Sequence, residues 1–209
     1  MYNYLKAYNL AYKSFDGVFR KFEEGSMPYI RHLERVTNRL MRLHLPQYNS
    51  HDMETLLCIS ILHDYIEDIR PNDGRQYLRD ALNEEISYGV FELTNASIYL
   101  DNKLLRAEKK KADREKLKDV SHMAKLVKLS DRIDNVRSLD GSPVKYQRKY
   151  VAESIQLYNE CLKGTHTELE NELLDEILKA QENIDAFDQV DINRDMLYEN
   201  EYELKAIEE

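Results

Sequence analysis

The spacing of apolar residues restricts the fold of this 209-residue chain more than any other feature. Apolar side chains recur every three or four residues in nearly every segment, and no stretch keeps the alternation of a strand. Examples are Ile30, Leu33, Val36, Leu40 and Leu43; Leu56, Ile59, Leu62 and Ile66; and Leu126, Leu129, Ile133 and Val136. With only six glycines and four prolines for turns, the chain is predicted to be all-α, a bundle of about eight to ten helices.

The length fits one domain with an appendage. We place the domain at residues 1–185 and an acidic C-terminal helix or tail at residues 186–209. Helical apolar spacing continues towards the tail, which is therefore predicted to pack there, through Leu169, Leu173, Ile177, Leu178 and Ile184. Beyond them, the anchors of a last helix would be Val190, Leu197, Tyr202 and Leu204. The sequence leaves open whether two copies of the chain form a homodimer.

Charge is distributed unevenly along the chain, whose net charge is −9. Residues 168–209 carry 15 acidic and three basic side chains, whereas the first 167 residues carry 27 basic and 24 acidic ones. The front part therefore has a net charge of +3, which permits an anionic ligand there.

Several classes of protein are excluded by simple absences. Cys58 and Cys161 show no CxxC spacing and are predicted to be reduced core residues, with neither a disulfide framework nor a zinc knuckle. The N-terminal segment lacks the apolar block of a signal peptide, and no run of 18 uncharged apolar residues occurs. We expect a cytoplasmic protein that binds neither a membrane nor nucleic acid.

One helix is predicted to end in a group of useful side chains, His63-Asp64 and Glu67-Asp68. If the helix continues through them, His63 lies one turn from Glu67, and Asp64 lies one turn from Asp68. The imidazole and the carboxylates would then lie on neighbouring faces.

Two other apolar helices carry polar groups of the same kind. Asp131 and Asn135 are four residues apart, and His32 follows Pro28-Tyr29 in the first turns of its helix. Nitrogen and oxygen ligands from three segments suit a divalent ion such as Mn²⁺, Fe²⁺ or Zn²⁺. Taken singly, such residues are more often helix caps or solvated groups, and the pair His51-Asp52 is predicted to be a cap.

Longer strings of residues resemble the hydrolase domain of the RelA/SpoT family, a branch of the HD-domain metal-dependent phosphohydrolases, and especially its stand-alone small alarmone hydrolases. The resemblance spans roughly residues 5 to 180. It rests on Arg20-Lys21 with Gly25-Ser26-Met27-Pro28-Tyr29-Ile30-Arg31-His32, on LHDYIED at residues 62–68, on ELTN at residues 92–95, and on KLVKLSDRIDNVRSL at residues 125–139.

The resemblance implies a fold and an activity. Residues 1–185 would form an HD-domain helical bundle that hydrolyses the 3′-pyrophosphate of guanosine or adenosine alarmones (ppGpp, pppGpp, ppApp), as in the stringent response, and releases pyrophosphate. One Mn²⁺ is the implied metal, other transition metals being possible, and its ligands would be His32, His63, Asp64 and Asp131.

The resemblance also implies roles for residues that do not bind the metal. Glu67 and Asp68 would position and activate the attacking water. Five residues would contact the nucleotide substrate: Arg20, Lys21, Asn135, Ser138 and Tyr150.

One feature lies outside these motifs, and a second is a departure from the family pattern within them. Residues 103–118 hold eight basic side chains, of which two or three are expected to face the substrate, although a solvated helix face is an equal alternative. Ser130 and Asp134 replace the alanine and the histidine or tyrosine that the family often has. Asp134 is expected to alter substrate preference if it faces the pocket.

Two alternatives to an alarmone hydrolase remain open from the sequence. The same site could act on another nucleotide, such as NADPH or a nucleoside triphosphate. The chain could also be a non-catalytic, metal-stabilised binding protein, although such a protein would have no need of Glu67 and Asp68.

Overall fold

The computed structural model describes residues 2–21 and 27–207, with side chains through residue 187. Over these residues the chain forms nine α-helices and, apart from an isolated bridge between Phe19 and Pro28, no β-structure. The helices are α1 (Tyr2–Ser14), α2 (Ile30–Met41), α3 (Ser50–Ile61), α4 (Gly74–Ala81), α5 (Glu84–Leu93), α6 (Arg106–Lys118), α7 (His122–Arg137), α8 (Val144–Leu157) and α9 (Thr167–Ile207). The predicted all-α bundle of eight to ten helices is confirmed.

Helix α7 lies at the centre of the bundle and packs against α2, α3, α5 and α9. Its apolar residues Leu126, Leu129 and Ile133 are fully buried, in agreement with their spacing. Each such side chain stabilises the fold by about 1.5–3 kcal/mol relative to an exposed position. The central position of α7 brings Asp131 next to His32 of α2 and to His63, which follows α3.

Helix α3 begins with a capping box in which the Asn49 side chain accepts from the backbone N–H of Asp52, and the Asp52 side chain accepts from that of Asn49. The prediction that the pair His51-Asp52 is a cap is confirmed only for Asp52, since the N-cap residue is Asn49 and the His51 side chain contacts Glu85 instead. Such a cap typically contributes about 1 kcal/mol. Helix α5 approaches α3 closely at Gly89, where a Cβ would overlap the side chain of Ile59.

The first half of α9 packs on the bundle as the sequence predicts, with Leu169, Leu173, Ile177 and Ile184 buried. Leu178 departs from that expectation because 60% of it is exposed. Acidic side chains of α9 pair with the bundle: Glu172 contacts Arg39 and Arg137, and Glu176 contacts Arg137.

Some predicted features lie outside the described residues: Gly25 and Ser26 of the first motif, and the side chains of Val190, Leu197, Tyr202 and Leu204. The division at residue 185 stays a prediction. Both cysteines are buried free thiols, as predicted. Within the described ranges, no helix has the length and apolar character needed to cross a bilayer.

Candidate metal centre and substrate cavity

The four predicted metal ligands meet in the interior of the bundle. His32 comes from α2, His63 and Asp64 from the turn after α3, and Asp131 from α7. The Nε2 atom of His63 lies 3.0 Å from Asp64 Oδ2 and 3.6 Å from Asp131 Oδ1. The Nε2 atom of His32 lies 3.6 Å and 3.4 Å from the same two oxygens. One ligand atom from each of His32, His63 and Asp131 lies within 4.8 Å of the others.

Both histidines turn one ring nitrogen towards this centre and bond through the other. His63 Nδ1 is 2.8 Å from the carbonyl oxygen of Ser60, and His32 Nδ1 is 2.7 Å from Asp134 Oδ2. The two Nε2 atoms are buried and have no hydrogen-bond partner. Because orphaned buried nitrogens are costly, and because two imidazoles and two carboxylates form a common transition-metal donor set, these residues fit a divalent ion.

The carboxylates around His32 and His63 favour the protonated forms of both imidazoles. Burial disfavours the imidazolium of His32, but the surrounding carboxylates of Asp131, Asp134 and Asp64 outweigh it and raise the pKa of His32 to about 9. The pKa of His63 is likewise raised above its usual value, against burial, by Asp64 and Asp131. A metal must therefore displace protons when it binds.

The heat stability of the metal-free protein is expected to fall as pH rises from about 6.5 through about 9. A histidine whose pKa is higher in the folded than in the unfolded state stabilises the fold fully below the unfolded value, and this contribution disappears as pH passes the folded value. For His32 these limits are 6.5 and about 9. Unfolding midpoints measured in chelator across this range check the prediction, and a midpoint that rises with pH contradicts it. With saturating Mn²⁺ the decline should be smaller, because the metal replaces the protons.

The backbone that presents His63 and Asp64 differs from the predicted continuous helix. Helix α3 ends at Ile61, and a single π-helical turn covers Tyr65–Ile69. Such turns often occur at functional sites. The expected pairing of His63 with Glu67 on one α-helical face is therefore wrong. Ending α3 here allows His63 and Asp64 to turn towards Asp131 on α7.

The two carboxylates of the π-helical turn have different surroundings. Glu67 accepts from the side-chain amide and backbone N–H of Asn95, at 2.7 and 3.1 Å. Asp68 lies on the wall of a cavity of about 480 Å³ that is also lined by Tyr29 and Asn135. Partial burial and the neighbouring carboxylates of Asp64 and Glu67 raise the pKa of Asp68 to about 6. Near neutral pH this carboxylate is ionised, and it can accept a proton.

Tyr29 is a site residue to which no role was assigned from the sequence. Its hydroxyl donates to Asp64 Oδ2 at 2.7 Å, and its ring stacks on Phe15 with centroids 5.0 Å apart. Its position three residues before His32 in the PYIRH string was the available signal. Tyr29 thereby orients a predicted metal ligand from the side of the cavity.

The cavity beside the metal centre has a volume of about 480 Å³. All five residues predicted to contact the nucleotide line it: Arg20, Lys21, Asn135, Ser138 and Tyr150. Aromatic and apolar side chains complete the wall, among them Phe19, Tyr29 and Tyr146. The structure thus brings these residues together in a space large enough for a small ligand.

Hydrogen bonds join the cavity to the metal centre. Arg20 Nη2 donates to Asn135 Oδ1 at 2.8 Å and to Ser138 Oγ at 3.1 Å. The side-chain amide of Asn135 in turn donates to Asp131 Oδ1, as their spacing of four residues on α7 allows. The other oxygen of Asp131 accepts from Lys128 Nζ at 3.0 Å.

The basic segment at residues 103–118 lies elsewhere and does not line this cavity. Several of its cations pair with protein groups: Arg106 with Glu153, Lys110 with Asp113, Arg114 with Glu160, and Lys118 with Glu115. Lys116 donates to the carbonyl oxygens of Phe91 and Thr94. Three of the eight, Lys110, Arg114 and Lys116, line a much smaller cavity of about 30 Å³, together with Lys128 and Arg132.

The two departures from the family pattern also face the interior. Ser130 is fully buried, and its hydroxyl donates to the carbonyl oxygen of Val36 at 2.9 Å. Asp134 is 1% exposed and contacts His32 and Arg35, and it does not line the large cavity. An effect of Asp134 on substrate preference was expected only if its side chain faced the pocket, and it does not line this cavity.

Comparisons with known proteins give three curated relatives, although no family model matches the chain. The chain is 28% identical over 143 residues to a guanosine-3′,5′-bis(diphosphate) 3′-pyrophosphohydrolase of Haemophilus influenzae and 30% identical over 158 residues to a GTP pyrophosphokinase of Myxococcus xanthus. These matches cover 66% and 73% of this chain but only 19% of each relative. The chain thus spans about a fifth of their length.

A third relative has a length similar to that of this chain. The guanosine-3′,5′-bis(diphosphate) 3′-pyrophosphohydrolase MESH1 of Danio rerio is 30% identical over 165 residues, which are 77% of this chain and 82% of the relative. A solved structure, described as a metazoan ortholog of SpoT that hydrolyzes ppGpp, superposes with a TM-score of 0.70 and 24% identity. The superposition covers 86% of this chain and 95% of the other, and it shows a shared fold.

Proposed function

Since this chain belongs to the family of the guanosine-3′,5′-bis(diphosphate) 3′-pyrophosphohydrolases, we propose that it is a metal-dependent hydrolase that removes the 3′-pyrophosphate of guanosine or adenosine alarmones. The observation that carries this proposal is the direct connection of two sites. Asn135 lines the 480 Å³ cavity and also donates to Asp131 of the metal centre. A nucleotide in that cavity would have its 3′ end next to the metal ligands.

We propose His32, His63, Asp64 and Asp131 as the metal ligands and Mn²⁺ as the ion. When bound, a divalent ion supplies Lewis-acid chemistry, because it lowers the pKa of water to about 7 and withdraws charge from a phosphoryl oxygen. Metal content of the purified protein tests the identity of the ion. The cytoplasm is the proposed location.

The reaction adds water to the phosphorus atom that is bonded to the 3′ oxygen. The bond between that phosphorus and the 3′ oxygen breaks, the 3′ oxygen gains a proton, and pyrophosphate leaves. Asp68 is the proposed group that takes the proton of the attacking water, since it lies on the cavity wall with a pKa of about 6. Glu67, held by Asn95, is proposed to orient the same water.

Positive charge is available on both sides of Asp131. Arg20 and Lys21 lie on the nucleotide side. Lys128 and Arg132 line the smaller cavity. Lys128 bonds to Asp131, and the guanidinium of Arg132 is 4.6 Å from the ring centroid of Tyr150. We propose that Lys128 and Arg132 face the leaving pyrophosphate, since Lys128 bonds to Asp131 and Arg132 follows Asp131 on α7, whereas cations of α6 pair with carboxylates.

A panel of nucleotides tests the proposed function. The Mn²⁺-loaded protein is incubated with ppGpp, pppGpp, ppApp, NADPH and nucleoside triphosphates, and kcat/KM and the released phosphate species are measured. We expect the highest kcat/KM for ppGpp, pppGpp or ppApp, with release of pyrophosphate. A preference for NADPH or a triphosphate would establish a different phosphohydrolase, and an absence of turnover on every nucleotide would favour a binding protein.

Substitution of Arg20 by leucine is expected to raise KM for the alarmone about tenfold or more, because hydrogen bonds to charged groups contribute about 1.5–3 kcal/mol. Steady-state kinetics at saturating Mn²⁺ measure this effect. Arg31→Leu is the matched control, since Arg31 is exposed and pairs with Glu34 on α2. Equal KM values for Arg20→Leu and Arg31→Leu would show that Arg20 does not contribute to substrate binding.

A further inference from the structure

A second carboxylate on α7 contacts His32 from the side opposite the metal centre. Asp134 Oδ2 lies 2.7 Å from His32 Nδ1, and Asp131 Oδ1 lies 3.4 Å from His32 Nε2. Asp131 and Asp134 are three residues apart, so their side chains project from the same side of the helix. The imidazole of His32 therefore lies between two carboxylates of α7, one for each ring nitrogen.

Asp134 is not itself placed as a metal ligand, because both of its oxygens are engaged by other side chains. Its Oδ1 accepts from Arg35 Nε at 2.7 Å, and its Oδ2 accepts from Arg35 Nη2 at 3.0 Å as well as contacting His32. The pairing with Arg35, which is three residues after His32 on α2, also explains how a carboxylate that is 1% exposed is tolerated here. Arg35 itself reaches the surface, with 37% of its side chain exposed.

We propose that Asp134 is a positioning residue for the metal centre, which fixes the His32 ring with the proton on Nδ1 and the Nε2 lone pair directed at the ion. The second histidine provides a comparison within the same site. His63 Nδ1 bonds to the neutral carbonyl oxygen of Ser60, whereas His32 bonds to a carboxylate. A charged acceptor makes the stronger hydrogen bond and increases the donor strength of the imidazole towards a metal.

The inference rests on the metal centre of the proposed function and is independent of which nucleotide is cleaved. It adds a third carboxylate to the centre, outside the set of four ligands. It also makes Arg35 part of the support, because Arg35 holds Asp134 through two hydrogen bonds.

Direct titration of the metal-free, full-length protein with Mn²⁺ alone tests the inference. Loss of such a partner typically weakens metal binding 10- to 100-fold, so Asp134→Asn is expected to raise the Kd at least about tenfold and Asp134→Ala to raise it further. Glu176→Gln is the matched control, because Glu176 is a buried carboxylate on α9 that pairs with Arg137 and Lys179. Its Kd should stay within about threefold of wild type.

A spectroscopic measurement separates positioning from a general effect on folding. In the Zn²⁺-loaded wild type and in Glu176→Gln, ¹⁵N NMR should show a hydrogen-bonded proton on His32 Nδ1, and in Asp134→Ala this signal should be lost or strongly shifted. Circular dichroism identifies the folded variants. If Asp134→Ala does not fold, the Mn²⁺ affinity of the isosteric Asp134→Asn variant tests the inference. A Kd for Asp134→Asn within threefold of wild type, or an unprotonated Nδ1 in wild type, overturns the inference.

The inference and the proposed function fail in different ways. Alarmone turnover together with an unchanged Mn²⁺ affinity in Asp134→Asn would overturn the role of Asp134 alone. Weakened Mn²⁺ binding in Asp134→Asn, together with a wild type that hydrolyses no nucleotide, would overturn the proposed reaction and support the role of Asp134.

Discussion

Replacement of His63 by alanine is expected to lower alarmone hydrolysis and Mn²⁺ affinity by at least about 100-fold each, since it removes a direct ligand, and loss of an outer partner already costs 10- to 100-fold. The Nε2 atom of His63 is buried, without a hydrogen-bond partner, and 3.0 Å from an oxygen of Asp64. Without it, Asp64 and Asp131 lose a positively charged or metal-binding neighbour. Metal content after dialysis and kcat/KM for ppGpp and ppApp measure the two effects.

The chain contains a second His-Asp pair that serves as a control for this prediction. His51 and Asp52 stand at the start of α3, where His51 is exposed and contacts Glu85. His51→Ala should leave metal content and turnover unchanged. Full turnover by a folded His63→Ala variant would rule out the proposed metal centre.

Substitution of Asp68 by asparagine is expected to lower kcat by about 100- to 10,000-fold, the usual contribution of a general base, while Mn²⁺ affinity stays close to that of wild type. We expect metal binding to be spared because the carboxylates of Asp68 and Asp64 have different surroundings. Asp68 lies on the wall of the substrate cavity, whereas Asp64 faces the histidine nitrogens. Single-turnover kinetics at saturating Mn²⁺, combined with metal titration, separate the chemical step from metal binding.

Asp73→Asn is a matched control for this substitution, because Asp73 is a nearby exposed carboxylate that pairs with Arg70. It should show wild-type kinetics. A turnover by Asp68→Asn within fivefold of wild type would exclude Asp68 as the base and leave Glu67 as the remaining carboxylate of the pair.

Much of the helical bundle could be predicted from the sequence because its determinants are local. Apolar residues spaced by three or four positions specify the buried face of a helix, and the residues so identified on α7 are fully buried. The capping residues of α3 are likewise neighbours in sequence. Leu178 shows the limit of this reasoning, because periodicity does not reveal whether a neighbouring element covers a given position.

The site was predictable only in part, since its decisive contacts are long-range. His32 and Asp134 are 102 residues apart, and Arg20 and Asn135 are 115 residues apart. Motif order suggested which residues could meet, but not which ring nitrogen bonds to which oxygen. The π-helical turn over Tyr65–Ile69, which follows Asp64 and contains Asp68, was not predicted, because the sequence pattern indicated only helical spacing there.

The basic segment illustrates a different difficulty. Its composition alone suggested cations for a phosphate ligand, but in the folded protein four of these cations pair with carboxylates on their own helix or on later residues. Near the metal centre, Lys128 on the central helix α7 bonds to Asp131, and Arg20 connects to Asp131 through Asn135.

Product analysis with ppGpp and ppApp tests the central claim most directly. The Mn²⁺-loaded wild type and Asp68→Asn are incubated with each alarmone, and the nucleotide and phosphate products are separated and quantified. The expected result for wild type is one pyrophosphate for each nucleoside 5′-diphosphate formed, with almost none from Asp68→Asn. Release of orthophosphate, or of no product from either alarmone by a metal-loaded wild type, would contradict the assignment of this chain as a 3′-pyrophosphohydrolase.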